Sequence, residues 1–237
     1  MPDWPRLREI ATVHEIGSRP DLGRYAGGGE EELRAARACI EKEIPGRHCL
    51  TVAYPDGKYV PEALRYYLGG RLQGKQHIYA DYPKQPLQLT DYHIPQGSVG
   101  ELEKAIGGIL NRRGWGIITY GERGEDFAEQ MDTILHYHSR LWDAPVADVL
   151  RYIKEAQTAR LSLLRQTEET LVLQLTDLLP EDDVFNHPLT LEIALPPGWR
   201  RFKATQAGKP VWHGVVRGGA RFNAVPDGGE ILLRKTN

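Results

Sequence analysis

The feature that most constrains the fold is a change of pattern near residue 160. Before it, apolar stretches typical of buried strands alternate with amphipathic stretches typical of helices. After it, only short strand-like segments follow, separated by turn sequences such as the Pro-Pro-Gly of residues 196–198. The pattern therefore predicts two domains: residues 1–160, in which strands and helices alternate, and a β-rich module at residues 161–237.

The alternation in the first part sets the predicted architecture. The spacing of apolar residues predicts helices at residues 4–11, 30–44, 60–69, 99–112, 125–139 and 146–159, and strands at 12–18, 49–54, 115–120 and 140–142. Such an order favours parallel strands with helices outside them, either as a barrel or as an open wound sheet. The closely spaced strands of the second part favour antiparallel pairing.

Composition excludes several classes of function. The 237 residues carry a formal net charge of -2, which gives no reason to expect nucleic acid or an anionic membrane as a partner. Two cysteines are too few for a disulfide framework. No run of apolar residues is long enough to span a membrane. The first residues lack the pattern of a signal peptide, so we expect a cytoplasmic protein, or a secreted or periplasmic one if an upstream segment is missing.

Five short strings resemble segments of the polysaccharide deacetylases, the NodB-homology group that forms carbohydrate esterase family 4. They occur in the expected order and are His-Glu-Ile-Gly-Ser at 14–18, Tyr-Pro-Asp-Gly at 54–57, the strand at 115–121, Leu-Trp at 141–142 with the helix at 149–155, and Pro-Leu-Thr-Leu at 188–191. The resemblance implies a distorted (β/α) barrel with a small C-terminal antiparallel β module. It also implies a substrate of the N-acetylated or acylated saccharide class.

The same resemblance implies that the family's metal site has been lost. In that family a divalent ion, held by an Asp and two His, activates water against an amide. Here the first histidine position falls on Arg19, the second on Gly23 or Arg24, and a late catalytic histidine on Tyr120. The Asp pair would precede Met1, so the resemblance describes a degenerate and N-terminally incomplete member. A guanidinium cannot ligate a metal, and we therefore expect no metal and no cofactor.

Four residues are candidates for catalysis without a metal: Glu15, Asp56, Tyr120 and Glu122. Carboxylates about 5–10 Å apart can hydrolyse a glycosidic bond, and a tyrosine can donate a proton. Structural alternatives stay open for each of them. Glu15 can form a buried ion pair with Arg19, Asp56 can bond the backbone of its own turn, Tyr120 can pack at the end of a strand, and the loop around Glu122 can simply be solvated.

Three further residues are candidates for contacting a saccharide: Arg19, Tyr54 and Trp142. Arg19 could pair with a carboxylate and Trp142 could line a pocket, although a tryptophan after an apolar residue is as often part of a core.

Two hypotheses on function follow. The first is a saccharide-binding, non-catalytic relative of the deacetylases. The second is a carbohydrate-active hydrolase, a glycosidase or esterase, that uses a metal-independent carboxylate site. A barrel without its first strand leaves an open edge, so we also expect a homo-oligomer that covers this edge.

Overall fold

The computed structural model describes residues 3–21, 29–74, 77–94, 98–120, 126–179, 182–217 and 219–236. The chain divides into two compact units, Met1–Leu150 and Arg151–Asn237. The predicted boundary at residue 160 lies ten residues further along, at the start of the first strand of the second unit. None of the described helices is both long and apolar enough to cross a membrane.

Helices of the first unit lie close to the predicted positions. They are α1 (Trp4–Ile10), α2 (Gly29–Glu43), α3 (Val99–Arg112), α4 (Phe127–Tyr137) and α5 (Val146–Thr158), whose last residues belong to the second unit. Asp3 caps α1 by accepting a hydrogen bond from the Arg6 backbone N–H at 3.0 Å. Three glutamates open α2, where the helix dipole favours negative charge.

Strands of the first unit are short and pair in parallel. They are β1 (Thr51–Ala53), β2 (Gly69–Arg71), β3 (Asp91–Ile94) and β4 (Ile117–Tyr120). β1 pairs with β2, and β3 pairs with β4, giving two separate two-stranded sheets. Single bridges join Ser18 to Val52 and Arg71 to Leu89 in parallel, and Tyr79 to Trp115 in antiparallel.

The predicted (β/α) barrel is wrong. In the described residues the parallel strands form small sheets of two strands each and do not close, while the larger sheets of the molecule are antiparallel. The alternation of strand and helix misled the prediction because strands of three or four residues carry too few ladder hydrogen bonds to define a closed sheet. The expected homo-oligomer depends on an open barrel edge. Because there is no barrel, this reason for expecting an oligomer no longer applies.

The second unit is a sandwich of two antiparallel sheets that includes a short helix, α6 (Asp182–Phe185). Its strands are β5 (Arg160–Gln166), β6 (Thr170–Thr176), β7 (Leu189–Ala194), β8 (Arg201–Gln206), β9 (Lys209–Pro210), β10 (His213–Val216), β11 (Gly219–Ala224) and β12 (Ile231–Thr236). One sheet has the order β5-β6-β12-β8-β9 and the other the order β10-β11-β7. Alternate residues of both sheets meet in one apolar core, which includes Leu173, Phe222 and Leu233.

Three predicted elements are absent from the described structure or are replaced. Residues 12–14 continue the end of α1 as turns, since Val13 and His14 both donate backbone hydrogen bonds to the Ile10 carbonyl. The predicted helix at 60–69 is a single 3-10 turn, Pro61–Arg65, followed by β2. Residues 140–142 are the end of a turn and two residues without regular structure, so the predicted strand is absent there.

Candidate functional site

The described part of the first unit contains an open cleft of about 690 Å³. Its floor is apolar and comes from α3, β4 and α4, while the segment 140–146 and the start of α5 form the other wall. We call this the α3–β4 cleft. Its lining residues include Ile106, Ile109, Leu110, Arg113, Trp115, Ile118, Tyr120, Ile134, Arg140, Leu141, Trp142, Asp143 and Val149.

Helix α3 supplies the floor because it is amphipathic. Leu102 and Ile106 on one face are buried and pack with Ile94 of β3. Leu110 on α3 and Ile134 on α4 pack against this cluster and also reach the cleft.

The end of α3 places an arginine in the cleft through an unusual backbone conformation. Arg113 has φ 51° and ψ 37°, the left-handed region in which glycine is favoured. Its N–H bonds the Leu110 carbonyl and the Gly114 N–H bonds the Ile109 carbonyl, both at 3.3 Å, the pattern of a Schellman motif. A non-glycine residue in this region costs about 1 kcal/mol.

The next residue is Gly114, and a glycine is needed there because the backbone passes very close to a neighbouring segment. A Cβ atom at this position would lie 2.4 Å from the Tyr79 carbonyl oxygen. Tyr79 and Trp115 exchange two backbone hydrogen bonds of 2.8 Å, and their rings lie 4.7 Å apart. The indole N–H of Trp115 also donates to the Asp81 carbonyl at 3.3 Å. These contacts fix Trp115 in the cleft wall.

Two of the predicted site residues, Tyr120 and Trp142, lie in the α3–β4 cleft. Trp142 is 52% exposed, so much of the indole is available to a ligand. Tyr120 ends β4, and its ring meets Phe127 edge-on at 5.8 Å. Burial raises the pKa of the Tyr120 phenol, and the negative charge of Asp143 adds a smaller increase. The phenol is therefore protonated at neutral pH.

Charged residues of the cleft are Arg113, Arg140 and Asp143, all of them exposed. In the described part of the chain, neither guanidinium forms an ion pair or a side-chain hydrogen bond. The cleft therefore combines an apolar floor, aromatic walls and two exposed cations.

Glu15 has a structural role that the sequence did not reveal. Its carboxylate accepts hydrogen bonds from the Thr51 hydroxyl at 2.5 Å and from the Ala147 backbone N–H at 3.1 Å. It thereby joins the segment after α1 to β1 and to the first turn of α5. Arg19 is exposed, so the alternative of a buried Glu15–Arg19 ion pair is wrong.

Tyr54 and Asp56 lie together after β1. Tyr54 is 3% exposed and packs against Tyr59 and Gly70, which leaves little of it for a ligand to contact. Burial raises the pKa of its phenol. Asp56 is exposed and has φ 53° in the turn Pro55–Gly57. Aspartate tolerates this left-handed conformation and is common in turns, which agrees with a structural role. Glu122, Gly23 and Arg24 lie outside the described residues.

The second unit also holds a buried carboxyl that the sequence does not single out. Glu155 on α5 is 0% exposed, and both its oxygens accept the His187 backbone N–H at 3.0 Å. Burial raises the pKa of Glu155 to about 8, and the negative charge of Asp177 contributes to this rise. Glu155 lies one turn after Arg151 on an amphipathic helix, and nothing in the local sequence indicates that its carboxyl is buried.

The described residues contain no group of three His, Cys, Asp or Glu side chains that could hold a metal ion. The catalytic and binding roles predicted for the individual residues stay predictions.

Comparison with known proteins gives one informative similarity. No protein-family model matches the chain. The chain is 31% identical to a gellan lyase from a Bacillus species over 273 aligned positions, which take in 97% of this chain and 11% of that protein. The chain thus spans about 11% of the length of the curated relative that it matches.

Proposed function

We propose that the first unit binds a polysaccharide in the α3–β4 cleft and that the chain serves as a carbohydrate-binding, non-catalytic part of its protein. The observation that carries this proposal is Trp142, an indole that is 52% exposed and lines the same cleft of about 690 Å³ as Trp115 and Tyr120. The alignment of nearly the whole chain with a segment of a gellan lyase supports a carbohydrate as the ligand.

The chemistry of the cleft suits a sugar ring. The faces of a pyranose carry C–H groups that pack on an aromatic ring, while the hydroxyl groups at the rim stay hydrated or bond to polar side chains. Ligand-binding clefts are lined mainly by apolar and aromatic side chains, so a half-exposed tryptophan in such a cleft is available to stack on a ligand. Arg140 and Asp143, at the exposed rim, offer donors and acceptors for hydroxyl groups.

The test is the affinity for gellan, measured by affinity gel electrophoresis and by calorimetry with gellan oligosaccharides. Trp142→Ala should weaken binding at least about tenfold, because it removes one stacking platform. Trp212→Ala is the matched control, since Trp212 is 58% exposed in the second unit and outside the cleft. Equal affinities of the two variants and the wild type would exclude the α3–β4 cleft as the binding site.

A second candidate function is favoured by Tyr120 and Asp143, which both line the cleft, with the charge of Asp143 contributing to the raised pKa of the phenol. In hydrolysis of a glycosidic bond the protonated phenol would donate its proton to the departing oxygen, while water attacks the anomeric carbon and returns a proton to the phenolate. The chain would then be carbohydrate-active in its own right. Release of reducing ends from gellan that Tyr120→Phe abolishes, with the affinity unchanged, would support this candidate. The absence of any turnover by the wild type would favour binding alone.

The hydrolase that was predicted to use Glu15 and Asp56 receives less support. Glu15 is engaged with Thr51 and Ala147, and Asp56 serves an exposed turn. The resemblance to polysaccharide deacetylases stays a prediction. Deacetylation of chitooligosaccharides by the purified protein, with stoichiometric metal, is the assay that addresses it.

A further inference from the structure

We propose that Arg113 is the residue that selects acidic saccharides in the α3–β4 cleft, by placing its guanidinium against a carboxylate of the bound sugar. This inference rests on the proposed function, because it concerns the same cleft. It goes further in assigning the choice between charged and neutral saccharides to one side chain.

The backbone of Arg113 is the first support. A Schellman motif needs a left-handed residue at this point, and glycine satisfies that need without strain. The chain instead holds arginine at φ 51°, although glycine follows directly at position 114. Residues held in such conformations cluster at ligand-binding sites, and Arg113 combines this conformation with a place in the cleft lining.

The position of the side chain is the second support. Arg113 and Trp115 both line the cleft, whereas Arg112, which is exposed like Arg113, does not line it. No described residue forms an ion pair with Arg113. Its charge is therefore available to a ligand that stacks on the cleft aromatics.

The balance of charge in the cleft is the third support. Among its described lining residues, Arg113 and Arg140 are cationic and Asp143 is anionic, so the cleft has an excess of one positive charge. Asp143 already acts on the phenol of Tyr120, and it would repel a carboxylate placed beside it. A guanidinium binds a carboxylate through two parallel N–H donors, a geometry that a hydroxyl group cannot match.

The experiment compares two ligands and two arginine variants. The ligands are oligosaccharides of gellan and the same oligosaccharides after their carboxylates have been reduced to primary alcohols. The variants are Arg113→Gln and the matched control Arg112→Gln, an adjacent exposed arginine outside the cleft. Each affinity is measured by calorimetry at low and at high salt, after circular dichroism has shown that the variant is folded.

We expect Arg113→Gln to weaken binding of the acidic oligosaccharide about tenfold and to leave binding of the reduced one unchanged. The salt dependence of acidic-ligand binding should also decrease in this variant. Arg112→Gln should match the wild type on both ligands. Should Arg113→Gln not fold, Arg113→Lys serves instead, with an expected loss of about threefold because the charge stays and the paired donors are lost.

Two results would overturn the inference and are distinguishable from failure of the proposed function. If Arg113→Gln binds both ligands as the wild type does while Trp142→Ala binds neither, the cleft binds saccharides and Arg113 does not select them. If Arg113→Gln and Arg112→Gln weaken acidic binding equally, the effect is one of general surface charge. If Trp142→Ala binds both ligands normally, the proposed function itself has failed.

Discussion

The carboxylate of Glu15 accepts a hydrogen bond of 3.1 Å from the backbone N–H of Ala147, a residue 132 positions further along the sequence. Its other oxygen accepts the Thr51 hydroxyl at 2.5 Å. Ala147 is in the first turn of α5, where the N–H groups lack partners within the helix and the dipole favours a negative charge. One side chain near the start of the chain thus stabilises a distant helix beside the α3–β4 cleft.

Replacing Glu15 by alanine should lower the free energy of unfolding of the first unit by about 1–3 kcal/mol, because it removes a helix-capping contact and leaves the Thr51 hydroxyl without this acceptor. Urea unfolding followed by circular dichroism measures the change. Glu9→Ala is the control, since the Glu9–Arg6 pair is exposed and its loss should change stability by less than about 0.5 kcal/mol. A Glu15→Ala protein as stable as the control would contradict the capping role.

Replacing Arg113 by glycine should raise the free energy of unfolding by about 0.5–1 kcal/mol, since glycine adopts the left-handed conformation of the Schellman motif without strain. Arg112→Gly is the comparison, because Arg112 ends α3 in the helical region and glycine there should lower stability by a similar amount. A loss of stability in Arg113→Gly would mean that the arginine side chain stabilises the fold and is not retained for a ligand.

Adding a methyl group at Gly114 should be destabilising by about 2–3 kcal/mol, because its Cβ would lie 2.4 Å from a backbone carbonyl oxygen that cannot move without breaking the Tyr79–Trp115 bridge. The opposite sign is expected at Gly107 in the middle of α3. Apart from the neighbouring residues and the backbone of α3 itself, no atom lies within 4 Å of a Cβ there. Gly107→Ala should therefore stabilise the helix by about 0.5–1 kcal/mol. Thermal unfolding of both variants measures this difference in sign.

Stability of the second unit should depend on the protonation of Glu155. Burial, with a contribution from the charge of Asp177, raises the pKa of this carboxyl from 4.5 to about 8, so the folded chain binds a proton that the unfolded chain has lost. The free energy of unfolding should accordingly fall as the pH rises from about 4.5 through about 8.

Glu155→Gln should flatten this dependence, because the amide stays neutral at every pH. Urea unfolding of the wild type, of Glu155→Gln and of the exposed control Glu168→Gln at several pH values provides the comparison. If the slope of the wild type persists in Glu155→Gln, another group is responsible.

Helices with strong apolar periodicity could be predicted from the sequence. The prediction for α3, residues 99–112, coincides with Val99–Arg112, because Leu102 and Ile106 lie one turn apart and face the same core. The antiparallel pairing of the second unit could also be predicted, since short strands and tight turns leave no room for crossover connections. In both cases local pattern and tertiary packing agree.

Segments whose structure depends on distant contacts could not be predicted. Residues 12–14 include threonine and valine, which favour strands, yet their N–H groups bond back to α1. The barrel failed for a related reason, because strand order and closure are set by pairings that no local pattern records.

The candidate site was predicted in part. The sequence predicts Tyr120 and Trp142 as site residues, and both lie in the cleft, whereas it does not predict Trp115, Arg113 or Asp143. The segments that hold them meet only through the packing of α3, β4 and α4. One local signal was available: the Arg-Arg-Gly-Trp sequence at 112–115 places an arginine where a helix end favours glycine.

Hydrogen–deuterium exchange of the chain with saturating gellan oligosaccharide tests the central claim most directly, because it locates the ligand without any substitution. We predict slower amide exchange at residues 106–120 and 140–149, which hold most of the lining of the α3–β4 cleft, and unchanged exchange across the strands of the second unit. Slower exchange confined to the second unit, or no bound oligosaccharide at any accessible concentration, would contradict the claim.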